Sequence, residues 1–473
     1  MTGMGEVTAG RRMLVAGSGV EGAAATRVLL RRGAEVTVVD RVASERTAAL
    51  ERDGARVVIA EAPPTGLFDG VAEMIISPGF PPHHPLAVAA ADAGLAVYGQ
   101  VELAWRLRPP GAAPWLAVTG TNGKTTTVIM LAAMLAAAGL RTAAVGNVGE
   151  PMVDAVLDGD YDVLAVELSA QQLYWSRDLA PEAGAILNLA EDHLQWHGDF
   201  VTYVRDKAAI WRGCTADGGA TAVGNLDDAR VAALLAGVSG RTVGFTRREP
   251  GAGELGVRDG YLVDRAFPAG AEGGDGVRLA PVAVVRPAGE HNVANALAAA
   301  ALARAYGVPP GAVADGLRAY QPHPHRNALV ATVDGVAYVD DSKATNPHAA
   351  LGSLTAYPRV VWIAGGWLKG VDIDELVASV TDRLAGAVLL GCDRAEVAAA
   401  LARHAPAIPV VEVARTDDGA MGEVVAAAAA MAAPGDTVLL APAAASTDMF
   451  RSYVQRGEAF ARAVHDLPAR GER

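Results

Sequence analysis

Four lysines stand in a chain of 473 residues with 40 basic side chains, so arginine supplies the other 36. Where arginine is the ordinary cation, a retained lysine marks a position that a fixed charge on a planar fork cannot serve, because only the amine can shed its proton and react. The four are Lys124 in "VTGTNGKTTT", Lys207 in "YVRDKAAIW", Lys343 in "DDSKATNP" and Lys369 in "GGWLKG". The competing reading is compositional bias, with Lys207 an ordinary charge on a surface helix.

Two glycine loops add phosphate chemistry. "VAGSGVEG" fits G-x-G-x-x-G through Gly17, Gly19 and Gly22, between a strand pattern and a helix pattern, with Asp40 closing the next strand. Such a loop lets the backbone approach a diphosphate at a helix N-terminus. On its own it points first to a dinucleotide-dependent oxidoreductase. The second loop runs through Gly120, Thr121, Asn122, Gly123, Lys124, Thr125 and Thr126, after the strand "WLAV" and before the helix "VIMLAAMLAAAG". Val118 occupies the first glycine position of G-x-x-x-x-G-K-[ST], while the Gly-Lys-Thr ending is intact. Backbone N–H groups there cradle phosphates, the lysine reaches the β and γ oxygens, and a threonine hydroxyl holds Mg²⁺. Glu167 closes the apolar run "YDVLAVE", and "GAILNLAEDHLQWHG" is expected to end a strand just before Glu191, Asp192 and His193. Both are candidate carboxylate or imidazole partners for the metal of a nucleoside triphosphate.

These residues need parallel sheets to hold them. β-branched runs alternate with Ala- and Leu-rich helical stretches along the whole chain, which predicts an α/β protein of about three domains. Pro-rich "RLRPPGAAPW", Arg106 to Trp115, reads as a first linker, and "YQPHPHR", Tyr320 to Arg326, as a second break. The expected domains are therefore 1–111, 112–321 and 322–473. Glu249 to Ala280 is Gly-rich without helical period and reads as hairpins or loops. A net charge of -13 disfavours nucleic-acid and anionic-membrane binding, though cations can still converge locally on an anionic substrate. The distant pair Cys214 and Cys392 suits a reducing compartment. With no apolar leader in "MTGMGEVTAGRR" and no transmembrane segment, a cytoplasmic protein is expected.

With these motifs in hand the chain resembles the Mur ligases, and among them the branch that adds D-glutamate. The likeness runs through "GSGVEG", "ISPGF", "TGTNGKTTT", "GNVGEP", "ELSAQQL", "NLAEDHLQWHG", "YVRDKAAIW", "GEHNVANALAA", "PHPHR", "DDSKATNP" and "APAAASTDMF", in that order. The resemblance implies a Rossmann-like UDP-binding domain, a central P-loop ATPase domain and a C-terminal Rossmann-like domain. It implies ATP-dependent joining of D-glutamate to UDP-N-acetylmuramoyl-L-alanine through an acyl phosphate, by a chain expected to be monomeric. Gly17, Ser18, Gly19, Val20, Asp40, Arg41, Ser77, Pro78, Gly79, Asn147 and Gln172 match the UDP-substrate side. Asn292, Asn295, Arg326, Asp341 and Lys343 join the P-loop on the ATP side.

Thr345, Lys369, Ser446, Thr447 and Tyr453 fall where the family holds the incoming amino acid. Lys124, Glu167, His193 and Lys207 are the implied catalytic set. Thr125 and Glu167 would serve one Mg²⁺, and His193 with Lys207 a second. The lysine matching Lys207 is carbamylated in the family, a neutral amine having taken up CO₂ to become an anionic ligand. Departures from the pattern are Glu21 in the diphosphate loop, Trp367 and Leu368 beside Lys369, and Ala441 and Thr447 near Ser446. Alternatives are a relative that adds L-glutamate or another amino acid, a folate polyglutamate ligase, which lacks the N-terminal unit, and the oxidoreductase with an ATP-binding domain.

Overall fold

The computed structural model describes residues 9–267, 276–322, 324–417 and 419–467. The leader-free reading of the N-terminus therefore rests partly on residues outside this set, as do part of the expected hairpin region and His323 of the second break. Three sheets carry the chain. The first holds β1 (Arg12–Ala16), β2 (Glu35–Asp40), β3 (Arg56–Ile59), β4 (Val71–Ile76) and β5 (Ala96–Gly99), parallel throughout in the order β3-β2-β1-β4-β5. The order reverses between β1 and β4, so the turns after those two strands flank one crevice, where open α/β sheets bind ligands.

The second sheet holds β6 (Trp115–Thr119), β7 (Thr142–Gly146), β8 (Val163–Glu167), β9 (Ala183–Ile186), β10 (Thr221–Asn225), β11 (Arg241–Phe245), β12 (Glu254–Arg258), β13 (Tyr261–Asp264) and β14 (Val277–Pro281). Its order is β14-β13-β12-β11-β10-β9-β6-β8-β7, with the β12–β13 and β13–β14 pairs antiparallel and every other pair parallel. The described part of Glu249 to Ala280 thus forms hairpin strands. Every residue of β6, β8 and β9 is buried, as expected for strands covered by helices on both faces. The strand expected to reach Glu191 ends earlier, at Ile186. Past Ile186 the backbone pairs with the phosphate loop instead, Thr121 N–H donating to Asn188 O at 3.0 Å.

The third sheet holds β15 (Ala328–Val333), β16 (Val336–Asp340), β17 (Val360–Gly365), β18 (Leu384–Leu390), β19 (Val410–Glu412) and β20 (Thr437–Leu440), ordered β15-β16-β20-β17-β18-β19 with only β15 antiparallel. Two compact units result. Met1–Val284 with Ala294–Tyr320 contains the first two sheets, and Val285–Val293 with Gln321–Arg473 contains the third. No helix among the described residues is long and apolar enough to cross a membrane.

The first two sheets share one apolar core, and polar staples also join them. Glu102, on the helix Gln100–Leu107, is 0% exposed. Its carboxylate accepts from the backbone N–H groups of Arg177 at 3.0 Å and Asp178 at 3.1 Å, and from Arg106 Nε at 2.7 Å. The expected linker is also packed, with the Arg108 guanidinium 3.2 Å from the centre of the Trp105 ring. Replacing Glu102 by Ala leaves the N–H groups of Arg177 and Asp178 without their acceptor and Arg106 with Asp178 as its remaining partner. The expected loss is about 3 kcal/mol, read as a lower unfolding midpoint in calorimetry; an unchanged midpoint would show that the staple contributes nothing.

Candidate functional site

The first crevice gathers most of the residues expected on the UDP side. Gly17 and Ser77 follow β1 and β4 at the point where the strand order reverses. Gly22 is there because of close approach: a Cβ on it would lie 2.0 Å from Gly17 O. Asp40 accepts from Ser18 Oγ at 2.5 Å, Ser18 N–H at 2.7 Å and Arg41 N–H at 2.7 Å. Burial raises its pKa, but these hydrogen bonds outweigh burial and hold the carboxyl below its ordinary range. Asp40 and Arg41 line a cleft with Glu61, Pro63, Phe80 and His84. Val20 and Gly79 face open space, while Ser77 Oγ accepts from Gln100 Nε2 at 3.1 Å.

Glu21, the acid that departs from the family pattern, turns toward the helix Met152–Leu157. Burial lifts its pKa to about 7; the Met152 N–H opposes this, and Asp154 adds to it. An acid whose proton is held more tightly in the folded state contributes stability that is full below its unfolded value and is lost as pH rises through about 7. Glu21→Gln keeps an acceptor and removes the titration. Melting curves from pH 5 to pH 8 should therefore diverge in favour of the variant as pH rises through about 7; parallel curves would contradict this.

The second crevice lies where β6 is flanked by β9 and β8. Gly123 adopts φ +85, and a Cβ there would lie 2.3 Å from Asn295 Oδ1, so the turn into the helix Lys124–Ala137 requires glycine and brings Asn295 to the loop. Asn188, just past β9, fastens the loop from the other side. Its Oδ1 accepts from Asn122 N–H at 2.8 Å, and its Nδ2 donates to Asn122 O at 3.1 Å. Thr125 Oγ1 donates to Glu167 Oε2 at 2.6 Å, and Asn147 Nδ2 donates to Oε1 at 2.8 Å. Gln172 Oε1 accepts from Ser169 N–H in a reciprocal helix cap. Thr121 Oγ1 meets Tyr203 Oη at 3.0 Å.

Lys207 is the surprise of this site. It lies on the helix Phe200–Ala208, is 2% exposed, and donates from Nζ to Gly120 O at 2.8 Å. Lys124 Nζ donates to the same oxygen at 2.8 Å and to Thr121 O at 2.9 Å. Burial, and then the neighbouring Lys124, hold the Lys207 pKa well below the ordinary lysine range, with Asp192 and Glu167 opposing. The surface-helix reading is thereby excluded. His193 adopts φ 52 at the start of the helix Leu194–His197, with its side chain 44% exposed. Among the described residues no three His, Cys, Asp or Glu side chains form a ready metal cage.

The second compact unit brings its expected residues to one sheet edge, past β16, β17 and β20. Burial raises Asp341 to about 6; hydrogen bonding from Ser353 opposes this, as does Arg326. Asp341 also accepts from Asn327 N–H at 3.2 Å, and Asp340 Oδ2 pairs with His325 Nδ1 at 2.6 Å. Lys343 Nζ lies 4.2 Å from the centre of the Tyr453 ring, and Thr345 N–H donates to Lys343 O at 2.8 Å. Trp367, 48% exposed, is joined to Ala445 by two backbone hydrogen bonds at 2.9 and 3.0 Å. Lys369, exposed at φ 59, and buried Ser446 with exposed Thr447 follow on those two segments. Buried Asn292 lies on the helix Glu290–Ala305. Asn188 and Tyr203 lie inside the quoted stretches "NLAEDHLQWHG" and "YVRDKAAIW" with structural parts the motifs do not assign them, and no motif marks Glu102, because each acts on a segment distant in sequence.

Residues 118–303 match the Mur ligase middle domain, and residues 325–444 the Mur ligase glutamate ligase domain. Together with this fold and its phosphate loop, the match places the chain in a known class: it belongs to the Mur ligase family. The chain is 56% identical to the UDP-N-acetylmuramoylalanine–D-glutamate ligase of Thermobifida fusca, over 97% of this chain and 99% of that one. It is 54% identical to the protein of the same name from Streptomyces avermitilis, again over 97% and 99%. Among solved structures, MurF from Acinetobacter baumannii is similar in fold at a TM-score of 0.61 and 19% identity, covering 96% of this chain and 93% of that one. The UDP-N-acetylmuramate–alanine ligase of Thermotoga maritima gives 0.59 and 18%, covering 96% and 99%.

Proposed function

We infer that this chain is an ATP-dependent ligase that joins D-glutamate to UDP-N-acetylmuramoyl-L-alanine in peptidoglycan precursor synthesis. The observation that carries the chemistry is the glycine loop of the second sheet, held against Thr125, Glu167 and a buried lysine amine. The near-full-length likeness to D-glutamate ligases selects the substrates.

In this reading residues 1–111 bind the UDP substrate, 112–321 bind ATP, and 322–473 bind the amino acid. The diphosphate lies over Gly17–Gly22, the uracil beside Asp40 and Arg41, and Ser77–Gly79, Asn147 and Gln172 on the sugar side. ATP lies along Gly120–Thr126 with Asn292, Asn295, Arg326, Asp341 and Lys343. Glutamate meets Thr345, Lys369, Ser446, Thr447 and Tyr453.

A carboxylate resists an amine because its charge repels the nucleophile and its oxygen leaves poorly. The L-alanyl carboxylate therefore attacks the γ-phosphorus of ATP, ADP departs, and an acyl phosphate forms. Glutamate's neutral amine adds to that carbonyl, and phosphate leaves. The first step brings anions together, and Lys124, Arg326 and Lys343 offset that charge. Hydroxyl and carboxylate oxygens are hard ligands suited to Mg²⁺, and Thr125 already meets Glu167 at 2.6 Å. Two magnesium ions, one at Thr125 and Glu167 and one at His193 with a Lys207 carbamate, would supply further neutralisation of phosphate charge when bound. The depressed pKa of Lys207 supports the carbamate, since only a neutral amine takes up CO₂.

Lys207→Arg keeps a cation and removes the carbamate, so it should cost at least about a hundredfold in kcat, or roughly 2.7 kcal/mol. Short carboxylic acids should partly restore Lys207→Ala. A fully active Lys207→Arg enzyme would refute the carbamate. The reaction itself is tested by phosphate release with ATP, Mg²⁺ and UDP-N-acetylmuramoyl-L-alanine against D- and L-amino acids. Release is expected with D-glutamate; release with L-glutamate alone moves the chain to the alternative ligase, and release with none overturns the reading.

A further inference from the structure

Arg456 lies on the helix Tyr453–His465 and is 1% exposed, among the most deeply buried large side chains of the protein. Its guanidinium donates from Nε to Ser342 Oγ at 3.0 Å and from Nη2 to Ser342 O at 2.9 Å. Nη1 and Nη2 each donate to Ala444 O at 3.1 Å. One planar fork thus bridges the segment after β16 to the segment after β20. Ser342 directly precedes Lys343 and lies three residues before Thr345, while Ala444 lies two residues before Ser446. A third segment closes against the same group: a Cβ on Gly366 would lie 3.2 Å from Arg456 Nη1 and 2.2 Å from Ala445 O. Gly366 begins the stretch that leads through Trp367 to Lys369.

Burying a guanidinium on carbonyls, with no ion pair among the described residues, is an expensive way to build a core. Burial lowers its pKa to about 10; nearby Asp448, Asp340 and Asp341 oppose this, so the group remains a cation at neutral pH. The planar fork is what makes the site work, because one group reaches carbonyls on two segments at fixed spacing. We propose that Arg456 is a positioning residue that holds the segments bearing Thr345, Lys369 and Ser446 in one register, so that together they receive the incoming glutamate. This rests on the reading of those three residues as the amino-acid site.

Three variants of the full chain test it: Arg456→Lys, Ser342→Ala and, for the site reading itself, Ser446→Ala. Arg456→Lys keeps the charge and loses the double bridge. It should raise KM for D-glutamate about tenfold, with KM for UDP-N-acetylmuramoyl-L-alanine within about twofold of the parent. Ser342→Ala removes only the Oγ acceptor and should raise the same KM by a smaller factor, which keeps the test decisive if Arg456→Lys fails to fold. An unchanged glutamate KM in Arg456→Lys, or in Ser342→Ala where Arg456→Lys does not fold, overturns the proposal if Ser446→Ala raises it. An even loss across all substrates also overturns it, marking a purely structural residue. If Ser446→Ala leaves the glutamate KM unchanged, the site reading fails and the proposal falls with it.

Discussion

Gly120 O receives two lysine amines, and the central site is arranged around that shared oxygen. Two ammonium groups on one buried carbonyl would repel each other in a medium that screens poorly. Burying an ammonium is costly, against the roughly 4–5 kcal/mol needed to deprotonate an ordinary lysine at neutral pH. The less costly arrangement is one cation and one neutral amine. Lys124, in the phosphate loop, is the residue that a triphosphate needs as a cation. Lys207, 2% exposed, is the one whose proton is held less tightly.

That arrangement depends on distant parts of the chain. The phosphate loop keeps its shape because Asn188 binds it past β9 and Tyr203 contacts Thr121 from the helix that carries Lys207. Glu167 is oriented by Thr125 on one oxygen and Asn147 on the other. Each of these groups stands at or just past the end of a parallel strand, or in the helix behind it. The same logic recurs in the first sheet at Gly17 and Ser77, and in the third at Asp340, Gly365 and Ala441. Parallel sheets deliver chemistry to one edge because every strand ends there.

Both glycine loops, the strands that precede them and the parallel character of the sheets were legible in the sequence, because glycine geometry and apolar runs are local signals. Lys207 stood out as a scarce residue type and through the family motif around it; its burial depends on a helix packing onto a loop 87 positions away. Glu102 and Arg456 gave no signal, since an acid or a base in a helix looks the same whether it faces water or caps a remote backbone. The strand expected to run to Glu191 stops at Ile186, because pairing with the phosphate loop draws the following residues out of the sheet. Glu21 departs from the pattern of the diphosphate loop, and its carboxyl turns to the helix Met152–Leu157.

We propose that Lys207 is an amine kept neutral by its surroundings so that it can become an anion. Carbon-13 NMR of the protein equilibrated with labelled bicarbonate reads this directly. A carbamate carbon resonance should appear in the parent chain, weaken as CO₂ is removed, and be missing from Lys207→Arg. A parent spectrum with no carbamate signal, or one unchanged by the substitution, would contradict the account.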